Sequence, residues 1–297
     1  MAPVDYGTQT VFRPGLFAGR AALVTGGGTG LGLAITRELL TLGCDVSIVS
    51  RSAVKLQGAL DALSTDPACV GRVRFQTCNI KSAEAVEVAV AGALEAFGRL
   101  DYVVNNGGGQ FISPAADISA NGFRAVLETN LLGTFLVCKE AYNQWMREHG
   151  GAIVNITMVN RNGFPRMAHS GAARAGVLNL TRSLATEWVS SGVRINCVAP
   201  GVVYTASGFK NYGPMGEAFL QAITPTVPCK RLGTAEEIAS AVVWLLCDGA
   251  AYVTGQELSV DGGSSLIGYP FPLADTGETS AFPVYGDASV LPPAARL

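Results

Sequence analysis

The chain is predicted to be α/β: a single-domain, doubly wound parallel sheet with helices on both faces. Three observations predict this. Short, nearly continuous apolar runs alternate with helix-length segments from about residue 20 to 260, as expected of strands covered on both sides. A glycine cluster, Thr25-Gly-Gly-Gly-Thr-Gly-Leu-Gly32, follows the first apolar run and opens the first helical pattern. Hydrophobic residues make up 48% of the 297 residues and charged residues 15%, a composition that fills a large core and excludes a disordered chain.

The elements follow in order. Residues 21–25 are the first strand. Residues 30–43 carry Leu31, Ile35, Leu39 and Leu42 along one helical face. Strands are then expected at 46–49, 73–78, 102–104, 153–156, 195–198 and 257–260. Helices are expected at 53–63, 82–97, 119–149, 172–190 and 235–246. The alternation predicts one dinucleotide-binding domain over 18–263, after an N-terminal extension at 1–17. Pro214, Pro225 and Pro228 interrupt it in 205–230, read as a substrate-side segment. Residues 264–297 are read as an extended tail.

A net charge of −2 and a pI near 5.8 argue against a nucleic-acid partner. The seven cysteines are odd in number, lack CxxC spacing and mostly lie in apolar runs. They read as buried free thiols in a reducing compartment. No metal is expected, because His149 and His169 lack ligand spacing. Residues 1–20 show no signal peptide, and no apolar run has the length of a membrane span. The final Ala295-Arg296-Leu297 is similar to a peroxisomal address. It places the protein in the peroxisome of a eukaryotic source, and in the cytoplasm otherwise.

Gly26, Gly30 and Gly32 form a GxxxGxG turn between a strand and a helix. Glycine lets the backbone approach a pyrophosphate, and the helix N-terminus offers free N–H groups. Gly28, Thr29 and Leu31 belong to the same turn. The second strand ends at Ser50-Arg51 without a carboxylate. Arg51 suits a 2′-phosphate bidentately, so NADPH/NADP+ is the expected cofactor. A doubly wound sheet with this turn is of the Rossmann type.

The glycine turn, Asn105-Asn-Gly-Gly108 after the fourth strand, Asn130 in a long helix, Pro200-Gly201 and Asp261-Gly-Gly263 together resemble the short-chain dehydrogenase/reductase family. Several stretches are most similar to the peroxisomal trans-2-enoyl-CoA reductase type: Asn105 to Phe111, Val126 to Leu131, His169 to Gly176 and Arg194 to Gly201. Peroxisomal 2,4-dienoyl-CoA reductases are a looser likeness. The resemblance implies pyrophosphate contact at Gly26, Gly30 and Gly32, and adenine contact at Asn79 and Ile80. It puts Asn105, Asn106, Gly107 and Gly108 along the adenosine side. Asn130 would hold a water and a backbone bend. Thr157, thirteen residues before Ser170, would be the substrate-binding hydroxyl. Pro200, Gly201 and Val203 would lie at the nicotinamide end, with Thr205 on the carboxamide. A homo-oligomer, tetramer or dimer, is implied through the helices at 119–149 and 172–190.

Ser170 and Arg174 hold the four-residue spacing at which the wider family carries Tyr and Lys. Arg174 suits the cofactor's ribose, but neither residue replaces a phenol as acid. The downstream Leu178-Asn-Leu-Thr-Arg182 also lacks a Tyr, which leaves Tyr204 as a possible donor or a packing aromatic. His169 beside Ser170 does not make a hydrolase, since no GxSxG elbow is present. Reduction of a 2-enoyl thioester needs donors for the acyl oxygen rather than a strong acid. Thr157, Ser170 and Arg174 are the expected set, with hydride going to Cβ of a fatty acyl-CoA or a carrier-bound thioester. The alternatives are a carbonyl or polyenoyl-thioester reductase of a specialised pathway, and an inactive NADP(H)-binding scaffold.

Overall fold

The computed structural model describes residues 10–67, 69, 72–161, 163–205, 216–266 and 285–286, with side chains for all of these except 216–219. Seven parallel strands form one sheet: β1 (Ala21–Thr25), β2 (Asp45–Ser50), β3 (Val73–Thr77), β4 (Tyr102–Asn105), β5 (Gly151–Ile156), β6 (Val193–Pro200) and β7 (Glu257–Val260). Their order is β3-β2-β1-β4-β5-β6-β7. The chain winds outward from β1 to β3, then returns to the middle at β4. That reversal opens a crevice beyond the C-terminal ends of β1 and β4, where Thr25 pairs with Asn105.

Strand alternation divides the core. Ala22 and Val24 face one side, where they pack with Ile35 and Leu39 of α1 (Gly30–Thr41), Leu56 of α2 (Ala53–Leu63) and Val242. Leu23, Val103 and Ile153 face the other side, with Val90 of α3 (Ala83–Phe97) and Val137. All seven cysteines are buried and free.

The expected helix at 119–149 is one long element with two interruptions, here called α4. It is α-helical over Ala120–Leu127, π-helical over Glu128–Leu132, α-helical over Gly133–Ala141 and π-helical again over Tyr142–Met146. It ends at Arg147–His149. The next helix, α5 (Ala168–Trp188), begins four residues before the expected 172. Arg166, at φ 66°, turns the chain into it, so Ser170 lies in its first turn.

The proline-interrupted segment contains a helix that its composition did not predict, α6 (Gly216–Ile223), followed by a 3-10 turn at Thr224–Thr226. Leu220, Val227, Cys229 and Leu232 make a third small cluster there. After it comes α7 (Ala235–Leu246), whose N-cap Thr234 and Glu237 form a reciprocal capping box. Among the described residues no helix is long and apolar enough to cross a membrane. The terminal Ala-Arg-Leu and most of the expected tail lie outside the described residues.

Two parts far apart in sequence meet on α1. Thr10 Oγ1 donates to Glu38 Oε1 at 2.6 Å, and Tyr285 Oη donates to the same oxygen at 2.8 Å. Thr234 Oγ1 donates to the Tyr285 carbonyl at 2.8 Å.

Candidate active site

A cleft of about 390 Å³ occupies the crevice. Gly26, Gly28 and Thr29 form its floor. Gly26 takes φ 67°, a left-handed conformation that strains any residue with a Cβ. A Cβ at Gly32 would collide with the Gly26 carbonyl oxygen and come within 2.6 Å of Asn106 Nδ2. The floor is therefore backbone, open to an anion at the N-terminus of α1. Leu31 packs its side chain toward the core; its place in the turn is a backbone one.

Ser50, Arg51, Ser52 and Lys55 line the side of the cleft at the end of β2. The Ser52 hydroxyl accepts from Lys55 N at 3.3 Å and caps α2. Arg51 and Lys55 are exposed cations, and among the described residues neither makes an ion pair with a carboxylate. Lys55 was missed in the sequence. Its signal was a second cation one helical turn beyond Arg51. Asn79 and Ile80 line the opposite side with Gly107, Gly108 and Thr129. The glycines at the base of the cleft and the two exposed cations at its rim suit the phosphates of a dinucleotide.

Asn106 ties the two halves of the crevice together. Its Nδ2 donates to Thr25 O at 3.1 Å, while the N–H groups of Asn106 and Gly107 donate to Thr25 Oγ1 at 3.1 and 2.8 Å. Asn105 does not line the adenosine side. It is buried and points into the sheet's interior, where Nδ2 donates to Asn155 Oδ1 at 2.9 Å. Asn155 Nδ2 in turn donates to Thr181 Oγ1 at 2.8 Å. Adjacent residues at a strand end face opposite sides, so only one of the two asparagines reaches the cleft.

Asn130 sits in the first π-helical turn, wholly buried. Its Oδ1 accepts from Gly109 N at 2.9 Å and its Nδ2 donates to Gly109 O at 3.0 Å. The side chain clamps the loop after β4 to this π-helical turn.

Ser170 and Arg174 lie one turn apart on α5. Ser170 is wholly buried; its hydroxyl donates to Gln110 Oε1 at 2.7 Å and lies 3.8 Å from Met158 Sδ. Arg174 is half-buried. Its Nη1 donates to Ile156 O at 2.6 Å, and its guanidinium abuts Gly108, where an added Cβ would collide with Nη2. Burial lowers its pKa to about 10, with little relief from neighbouring charge, so it stays cationic at neutral pH.

The role expected of Thr157 needs correction. Thr157 turns away from Ser170: its Oγ1 donates to Glu257 Oε1 at 2.8 Å and contacts Val198 O at 3.2 Å. Its single proton is engaged by β6 and β7, and Met158 is the residue beside Ser170. Neighbouring positions in extended chain face opposite sides, so Thr157 and Met158 reach different partners. Tyr204 packs with Val202 and Ile223 against the third cluster, and its backbone N donates to Gly233 O at 3.0 Å. Val203 pairs with Gly233 in an isolated bridge. Pro200 ends β6, and Gly201 N donates to Val260 O at 3.0 Å. Thr205, half-buried, closes the described part of this segment. Gln110, Phe111 and Met158 are site residues that sequence spacing did not single out.

The chain is similar to known proteins. Residues 26–265 match the family described as enoyl-(acyl carrier protein) reductase. A peroxisomal 2,4-dienoyl-CoA reductase of Danio rerio is 36% identical over 258 residues, 86% of this chain and 85% of that protein. A probable 2,4-dienoyl-CoA reductase of Bacillus subtilis is 36% identical over 85% of this chain and 99% of its own. Among solved structures, a citronellol catabolism dehydrogenase of Pseudomonas aeruginosa is 42% identical, with a TM-score of 0.76 over 86% of this chain and 99% of its own. Likeness that runs from the glycine turn past the last strand leaves one conclusion: the chain belongs to the short-chain dehydrogenase/reductase family of oxidoreductases.

Proposed function

We propose that the protein is an NADPH-dependent reductase that saturates the α,β double bond of a 2-enoyl thioester, an acyl-CoA in the first instance. One observation carries this reading. The first two turns of α5 present a neutral hydroxyl, Ser170, bonded to a carboxamide oxygen, and a permanent cation, Arg174, against the loop after β4. These two groups stand where the wider family has its Tyr and Lys.

Ketone reduction places a proton on oxygen and needs an acid, which a serine hydroxyl serves poorly. Conjugate reduction places charge on the acyl oxygen and asks only for donors and a positive field. NADPH, when bound, supplies the hydride for Cβ. The Ser170 hydroxyl donates to the acyl oxygen as charge gathers there. Arg174 stabilises that charge from one turn away, and its free N–H groups hold ribose hydroxyls. Thr157, bonded to Glu257, takes no part. The proton for Cα comes from water. Arg51 and Lys55 receive the 2′-phosphate, and Gly26, Gly30 and Gly32 the pyrophosphate.

The relatives named above favour a second form of the same chemistry, in which the substrate is a 2,4-dienoyl thioester. The test is loss of NADPH absorbance with crotonyl-CoA, 2,4-hexadienoyl-CoA and a ketone of matched chain length. Turnover of a thioester but not the ketone supports the reading, and the faster thioester decides its form. Turnover of the ketone alone refutes it; tight NADPH binding without any turnover favours a scaffold.

A second copy of the chain is the proposed partner of the exposed face of α4 and α5. Phe123, Leu127, Leu131, Phe135 and Leu180 line an apolar groove there, and Phe123 and Leu132 are exposed. Light scattering reads the oligomeric state, and a monomer refutes the assignment.

A further inference from the structure

The β4–α4 connection crosses the first turn of α5 and touches it twice in register. Gln110 Oε1 accepts from Ser170 Oγ at 2.7 Å. The next residue, Phe111, stands edge-on to the His169 ring, with centroids 4.3 Å apart. Ser170 and His169 are wholly buried, whereas Gln110 and Phe111 are exposed.

The chemistry of these contacts points to a ligand. A carboxamide oxygen is the nearest side-chain analogue of an acyl oxygen, being neutral, planar and equipped with two lone pairs. It sits on the hydroxyl assigned above to the substrate. His169 Nδ1 accepts from Ser170 N at 2.9 Å, so the neutral ring carries its proton on Nε2. That Nε2 is buried without a hydrogen-bond partner, a costly state for a donor. An exposed arm thus covers two buried donors; one holds a carbonyl oxygen and the other holds nothing.

The arm is short and pinned at both ends. Asn130 clamps Gly109 on one side. Ser113 N donates to Arg166 O at 2.8 Å on the other. Between these points Gln110 and Phe111 make the two contacts described, and the Phe111 ring lies against Gly122, where an added Cβ would meet it at 3.0 Å.

We propose that Gln110 and Phe111 form a self-mimicking latch on the acyl site, in which the Gln110 carboxamide oxygen occupies the place on Ser170 that the substrate's thioester carbonyl takes, and Phe111 covers His169 until the substrate displaces it. The proposal rests on the thioester reading of Ser170. Binding is then an exchange. The Ser170–Gln110 hydrogen bond breaks, a Ser170–acyl oxygen bond forms, and Gln110 turns into water, where part of it already lies. The latch taxes affinity for every acyl ligand and is released by one whose carbonyl replaces it.

The test is calorimetric titration of butanoyl-CoA, a saturated thioester with no double bond to reduce, into the NADP+-loaded protein. The proteins compared are wild type, Gln110→Ala, Ser170→Ala and the double variant, each first checked for fold by circular dichroism. Gln110→Ala is expected to bind roughly 2- to 10-fold tighter, the net worth of one hydrogen bond. In the Ser170→Ala background the same change is expected to do nothing. Unchanged or weaker binding by Gln110→Ala overturns the latch, as does equal tightening in both backgrounds. Wild-type turnover of crotonyl-CoA with no tightening overturns the latch alone. Tightening without turnover of any thioester overturns the reductase reading and leaves the latch standing. No binding by any variant overturns both.

Discussion

Replacing Arg174 with methionine separates cofactor binding from structure, because the two duties move different observables. Burial lowers the guanidinium pKa from its ordinary value to about 10. At about 1.4 kcal/mol per pH unit, that drop corresponds to roughly 3 kcal/mol of penalty for holding the cation in the folded protein. The folded pKa lies below the unfolded one. The penalty is therefore full below pH 10 and is relieved only as pH rises above it. Opposing it is the bond from Nη1 to Ile156 O at 2.6 Å, a charged hydrogen bond worth about 1.5–3 kcal/mol. Methionine removes both, so the protein without cofactor is expected to change by about 0 to 2 kcal/mol in the stabilising direction. NADPH affinity, which loses charged hydrogen bonds, is expected to fall by roughly 10- to 100-fold. Thermal melts with and without NADPH, alongside a fluorescence titration, read both quantities. Arg174→Lys keeps the charge and is expected to stay within about tenfold of wild-type affinity. An Arg174→Met protein that loses more than about 2 kcal/mol of stability and still binds NADPH normally would refute the assignment, leaving Arg174 a structural tie between α5 and β5.

Four further outcomes follow from the geometry. Arg51→Ser is expected to weaken NADPH roughly 10- to 100-fold and leave NADH unchanged, since it deletes a phosphate contact that NADH never makes; parallel titrations with the two nucleotides check it. Gly32→Ala drives a Cβ into the Gly26 carbonyl; a stability loss of about 1–3 kcal/mol and loss of nucleotide-induced stabilisation are expected in thermal melts. Thr157→Val strands Glu257 Oε1 and is expected to lower stability by about 1–3 kcal/mol with kcat nearly unchanged. Ser170→Ala is expected to lower kcat about tenfold or more, roughly 1.4 kcal/mol, so steady-state kinetics on the pair tells the two hydroxyls apart.

The sheet and its crevice were legible because their signals are local. Strand runs such as Ala21–Thr25 and the glycine turn declare themselves within a few residues, and the seven strands fall within two residues of the predicted limits. The start of α5 was misread because His169 and Ser170 carry no apolar periodicity. Its entry depends on Arg166 in a left-handed conformation, which a non-glycine residue does not announce. The facing of side chains at strand ends was also hidden. Thr157 and Met158, like Asn105 and Asn106, differ by one position and by a whole side of the sheet. Gln110 and Phe111 were illegible for another reason: their partners lie about 60 residues onward, across a loop whose path only the fold defines.

The shared carboxylate of Glu38 bears on how the chain assembles. Its bond to Tyr285 closes a loop of 247 residues, for which chain entropy alone asks about 5 kcal/mol. One hydrogen bond to a carboxylate returns only about 1.5–3 kcal/mol. Isolated, the contact does not form. It closes only after the sheet has delivered both segments to α1, which makes it a late event in folding. A spectroscopic label on Tyr285 would accordingly report completion of the whole fold rather than of any part of it.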